Sequence, residues 1–123
     1  MAPKNENIIP PDRLNLYDQL IATNPSIERK GKTMPYTSLN GHMFSYLSAE
    51  GVLALRLPEN ERGLFMKTYN TKLMISHGVV MKEYVEVPGS LLEKTEELKK
   101  YFKASYHYVG SLKPKPSSKR NTK

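Results

Sequence analysis

The chain has 123 residues, no cysteine and a formal charge of +7, with 38% apolar and 25% charged residues. That length fits one domain able to bury a core without staples, and the missing thiols exclude disulfides, thiolate zinc sites and cysteine nucleophiles and suit a reducing compartment. No stretch approaches the ~20 apolar residues needed to cross a membrane, and the polar residues 1–7 lead into no apolar leader, so a cytoplasmic location is expected.

Residues 1–10 are polar and read as a flexible N-terminal segment ahead of a single domain over 11–112. Pro11 and Asp12 then supply a proline and an acid for the first turn of a helix. Leu14, Tyr17, Leu20 and Ile21 recur at helical spacing, and Asn24-Pro25 stops the run, which predicts a helix over about 12–23. Residues 26–32 carry Arg29, Lys30 and Lys32 around Gly31 and read as an exposed basic loop.

Asn40-Gly41 is a strong hairpin signal, because both central positions of a type I′ turn need positive φ. Strands are expected at about 33–39 and 42–47, a turn at 48–51 and a third strand at 52–57. In that third strand Leu53, Leu55 and Leu57 share one face, and Ala54 and Arg56 the other. Pro58 opens a second helix, with Glu59 and Glu61 complementing its dipole and Leu64 and Phe65 as its apolar contacts, ending near Thr68. Strands follow at 72–76 and 79–87. In the longer one Val80, Lys82, Tyr84 and Glu86 alternate with Met81, Glu83, Val85 and Val87, an imperfect pattern that leaves the register open.

Leu91 and Leu92 fall on a short turn. Thr95 is a good N-cap residue, with Glu96 and Glu97 in the first turn of a last helix. Leu98, Tyr101, Phe102 and Ser105 form its buried face, Lys99, Lys100 and Lys103 lie opposite, and Gly110 is read as its stop after Tyr108. From 113 on, Lys113, Lys115, Lys119, Arg120 and Lys123 stand among Pro, Ser, Asn and Thr with no acid, which leaves +2 on the rest of the chain. Nothing apolar is there to bury, so residues 113–123 are expected to be a disordered basic tail. The element order α-β-β-β-α-β-β-α predicts an α+β two-layer domain, an antiparallel sheet with helices against it.

Several phrases resemble the TfoX N-terminal domain family, the front domain of bacterial competence regulators, which also occurs as stand-alone small proteins. They are Gly41-His42-Met43-Phe44, Leu53-Ala54-Leu55-Arg56-Leu57-Pro58, Arg62-Gly63-Leu64-Phe65 and Met81-Lys82-Glu83-Tyr84-Val85-Glu86-Val87-Pro88. The final helix with Leu98, Tyr101 and Phe102 also fits, and the resemblance runs from about Leu14 to Tyr108. The chain departs from the family at Met34-Pro35-Tyr36, where the family often has Met-Phe-Gly-Gly, and it carries a short basic tail where the full regulators have a helical domain. The resemblance implies a fold similar to secretion-chaperone-like domains, no known catalytic residues, no cofactor and, by fold analogy, a homodimer.

The residues themselves offer no catalytic motif. His42, His77 and His107 match no zinc or HExxH spacing. Glu83 and Glu86 point to opposite sides of an extended strand, and no serine has a nucleophile-elbow context. No phosphate-binding glycine loop is present. The expected function is a binding or regulatory module. Tyr36, Phe44, Tyr46 and Met81 are its candidate interaction surface, on a second sheet face too apolar to stay wet. The alternative is a nucleic-acid-binding accessory protein using Arg29, Lys30, Lys32, Lys113, Lys115, Lys119 and Arg120. Tyr101, Tyr106 and Tyr108 beside His107 and the lysines of the last helix could stack on single-stranded nucleic acid or cover the core.

Overall fold

The computed structural model describes residues 9–31 and 34–114. The expectations for residues 1–8, Lys32, Thr33 and 115–123 lie outside the described residues. The first helix, α1 (Pro11–Ile21), begins with Pro11 and Asp12 in its first turn. It ends two residues before the predicted stop. There the Thr23 backbone N–H and side-chain hydroxyl both donate to the Leu20 carbonyl, at 3.1 and 2.7 Å, which closes the last turn.

Strands β1 (Tyr36–Leu39) and β2 (His42–Leu47) form the predicted hairpin. Asn40 and Gly41 turn at φ 57° and 81°, the left-handed pair that the I′ turn requires. Strand β1 is shorter than expected, and its start is held by reciprocal backbone bonds between Lys30 and Tyr36, at 2.8 and 2.9 Å. β3 (Leu53–Arg56) is followed by α2 (Glu59–Tyr69), β4 (Leu73–Ser76) and β5 (Val79–Val87). The short α3 (Gly89–Leu92) and the long α4 (Thr95–Ser111) complete the domain.

The five strands lie in the order β1-β2-β3-β5-β4, each neighbour antiparallel. This is the α+β two-layer architecture expected from the element order. The helices bury their apolar stripes against one face. Tyr17, Leu20 and Ile21 from α1, Phe65 from α2, Leu91 and Leu92 from α3, and Leu98, Phe102 and Val109 from α4 meet Phe44, Leu47, Leu53, Leu55, Leu57, Val85 and Val87 in one core. Among the described residues no helix is long and apolar enough to cross a membrane.

Four details depart from the sequence reading. Thr95 is the first helical residue of α4 and not its cap; Lys94 holds the cap position without a side-chain bond, and its carbonyl accepts the Glu97 and Leu98 N–H groups. Gly110 does not end α4, which continues to Ser111. A Cβ at Gly110 would sit 3.3 Å from Leu39 Cδ2, so its lack of a side chain lets β1 approach the helix. Leu64 is 64% exposed, and only Phe65 of the expected pair is buried. α2 ends on Asn70, whose φ of 53° makes a left-handed stop.

The fourth departure is in register. Thr37 pairs with Ser45, but Ser38 pairs with Met43, so Phe44 is an extra residue on β2. Such a bulge breaks the two-residue alternation of side chains. Phe44 therefore joins Ser45 on the helix side, while Met43 and Tyr46 turn to the other face.

Candidate interaction face

The face of the sheet away from the helices carries its own apolar cluster. Tyr46, Ala54 and Met74 are buried there, with Tyr36, Met43, Val52, Met81 and Tyr84 packed against them. Among the described residues no helix contributes to it. Ala54 lies directly opposite Tyr46 across the β2–β3 ladder, so its small side chain makes room for the ring. Tyr46 and Tyr84 stand 6.2 Å apart between ring centres, a favourable aromatic pair.

The polar ends of this layer are satisfied within it. The Tyr46 hydroxyl donates to Met81 Sδ at 3.0 Å, and the Tyr84 hydroxyl donates to the Met43 carbonyl at 2.6 Å. Burial raises the pKa of both phenols above the ordinary tyrosine value, so both stay neutral around neutral pH. Exposed apolar side chains also stand at the β4–β5 turn, Val79 (64% exposed) on the Met81 side of β5 and Ile75 and Val80 on the other. A cleft of about 310 Å³ runs along this edge, lined by Met34, Tyr46, Met74, Ile75 and His77 among others.

Of the four residues expected on this surface, Tyr36, Tyr46 and Met81 are found there. Phe44 is not. The bulge turns it into the main core, where its ring packs 5.5 Å from Phe102 and 5.9 Å from Tyr106. Met81 reaches the face through a second irregularity, since two steps along β4 from Leu73 to Ile75 match five along β5 from Val85 to Val80. Simple alternation would have placed Met81 with Val85.

Of the described basic residues of the alternative reading, Arg29 and Lys30 have side-chain partners, whereas Lys113 is in contact through its backbone carbonyl. Arg29 Nε lies 3.1 Å from Asp18 Oδ1. Lys30 Nζ donates to Ser38 Oγ at 3.1 Å. The carbonyl of Lys113 is 2.8 Å from His42 Nε2, which fixes Nε2 as the protonated nitrogen because a carbonyl only accepts. Lys32, Lys115, Lys119 and Arg120 lie outside the described residues. His42, His77 and His107 belong to β2, the β4–β5 turn and α4. Among the described residues no three His, Cys, Asp or Glu side chains gather where they could hold a metal ion.

One polar cluster was not legible in the sequence. Arg56 Nε donates to Glu83 Oε1 at 2.6 Å, the Tyr108 hydroxyl donates to Glu83 Oε2 at 3.3 Å, and the Arg56 guanidinium sits 5.6 Å from the Tyr108 ring centre. It ties β3, β5 and α4 together at one end of the sheet. Burial by itself would raise the Glu83 pKa, but the hydrogen bond and charge of Arg56, with the Tyr108 hydroxyl, outweigh it and hold the carboxyl below its usual range. The native state therefore holds fewer protons at this site than the unfolded chain. The stabilisation is fully present above the unfolded carboxylate value of about 4.3 and is lost as pH falls through the lower native value. Urea unfolding of wild type and Glu83→Gln at a series of pH values checks this: the gap between them is widest near neutrality and closes in acid. A gap unchanged with pH would show that the carboxylate charge contributes nothing.

No family model, curated protein or solved structure matches this chain.

Proposed function

We propose that this chain is a non-enzymatic binding module that works as a homodimer through the helix-free face of its sheet. The observation that carries this reading is the second cluster: tyrosine, methionine and valine side chains on a sheet face that no described helix covers. Apolar sheet faces left open to water are unusual and mark contact surfaces. Tyrosine and methionine are the residue types that interface centres favour. The internally bonded Tyr46 and Tyr84 hydroxyls can enter an interface without leaving an unpaired polar atom.

A second copy is the occupant that the face itself supplies. A two-fold axis brings one patch against its own equivalent, and the strip formed by Tyr36, Met43, Met81 and Tyr84 is apolar enough to be self-complementary. The resemblance to the TfoX N-terminal domain supports the same reading, with a regulatory role in place of an enzymatic one. Light scattering at high micromolar concentration tests it. The wild type is expected at twice its 14.1 kDa chain mass. Val79→Lys puts a charge on an exposed position of β5 that alternation places on the same side as Met81, and it is expected at the single-chain mass with an unchanged circular dichroism spectrum. A wild type that stays at one chain mass sinks the proposal.

A further inference from the structure

A second recess lies on the opposite side of the domain, between the end of α1 and the middle of α4. It encloses about 490 Å³ and is lined by Thr23 and Asn24 from the α1 end and by Lys99, Lys100, Phe102, Lys103, Tyr106 and His107 from α4. Phe102 is buried and gives it an apolar floor. Tyr106 and His107 stand as an edge-to-face pair 5.8 Å apart. No carboxylate lines the recess.

The dipole of α4 does not account for these lysines. Lysines complement a helix dipole in its last turn, yet the last turn of α4 holds no basic residue. Lys99 and Lys103 are four apart on one helix face. Like charges at that spacing disfavour a helix. Only Lys99 has a partner, Glu96 at 2.8 Å. Lys100 rests 5.9 Å from the Tyr101 ring, and among the described residues neither Lys100 nor Lys103 forms an ion pair.

The α1 wall sets no carboxylate against these cations. The final α1 carbonyls are occupied, with Leu20 accepting from Thr23, Ile21 from the Asn24 N–H, and Asp18 from the Ala22 N–H. Asn24 Oδ1 accepts the Ser26 N–H at 2.9 Å, so the carboxamide offers its NH₂ group as a donor on the cleft wall. A local feature that costs helix stability, without compensation nearby, is where a ligand is expected.

We propose that this recess binds a nucleotide unit, with the base against Tyr106 and the phosphate on Lys100 and Lys103. Aromatic side chains stack on any base, and lysines hold phosphate as point charges. The chemistry is shared by a free nucleotide and by a nucleotide within a single strand. The site is separate from the sheet face and uses none of its residues.

Amide chemical shifts during titration test the site, with adenosine monophosphate, an oligothymidylate and inorganic phosphate as probes. At least one nucleotide probe is expected to move the resonances of Asn24, Lys103, Tyr106 and His107, and inorganic phosphate to bind more weakly. Binding of the monophosphate as tightly as the strand points to a free nucleotide. Binding of the strand alone points to nucleic acid, and its log affinity then falls against log salt by about 0.7 per phosphate contact. Lys100→Gln with Lys103→Gln, both at exposed positions, is expected to lower nucleotide affinity roughly tenfold while leaving the rest of the spectrum in place. The proposal is overturned if neither nucleotide probe moves these resonances at millimolar concentration, if the double variant binds as wild type does, or if inorganic phosphate binds as tightly as the nucleotides.

Discussion

Phe44→Ala is expected to lower the unfolding free energy by about 3–5 kcal/mol, the range for emptying a buried phenylalanine site. The ring is fully buried between Phe102 and Tyr106, and removing it leaves a void that the α4–β2 contact cannot close without moving the helix. An unbroken β2 would instead place Phe44 beside Tyr46 on the helix-free face, where no helix closes over the ring and truncation costs less than emptying a closed core site. Urea denaturation distinguishes the two by the shift in midpoint at unchanged slope. A shift near zero would mean that the bulge is absent in solution and that Phe44 belongs to the interaction face.

The next largest effect falls on three hydroxyls buried between α1 and the first hairpin. Tyr17, Thr37 and Ser45 are all fully buried. Ser45 Oγ lies 2.7 Å from the Tyr17 hydroxyl and 2.5 Å from Thr37 Oγ1, so the serine is the middle of a chain of hydrogen bonds. Burial raises the Tyr17 pKa far above the ordinary tyrosine value, which keeps the phenol neutral and able to donate. Ser45→Ala strands both partners in an apolar site. Each orphaned group costs about 1–3 kcal/mol, and the total is expected at about 2–4 kcal/mol because Tyr17 and Thr37 can partly re-pair. The triple variant Tyr17→Phe, Thr37→Val, Ser45→Ala removes every member together and is expected to be more stable than Ser45→Ala alone. Thermal unfolding of the wild type and both variants checks the order. A triple variant less stable than Ser45→Ala would show that the hydrogen bonds themselves, and not the stranded groups, carry the energy.

The sequence was most informative where one local rule acted alone. Asn40-Gly41 sets its own backbone, and Leu53, Leu55 and Leu57 alternate cleanly because β3 is central and regular. Pro11 and Pro58 open helices where a missing N–H costs nothing. The reading failed where a neighbour overrode the local rule. The Phe44 bulge and the offset that turns Met81 outward arise from strand pairing across the sheet, and nothing within either strand announces them. Gly110 looks like a helix stop until Leu39 is seen lying against it. The candidate face was legible in part, as an excess of apolar residues beyond what one sheet side needs. The α4 recess was legible only as a run of lysines, because its other wall comes from Thr23 and Asn24, far away in sequence.

The position of α4 at the end of the described chain also bears on how the protein is made. Leu98, Phe102, Ser105 and Val109 are synthesised after all five strands, yet they belong to the core on the covered face of the sheet. Until they leave the ribosome, that face has only α1, α2 and α3 against it, and β5 has only just arrived to pair with β3. The domain thus completes its core in a single late step. A message cut short before Phe102 would yield a sheet without most of its α4 cover, the kind of product that associates before it can fold.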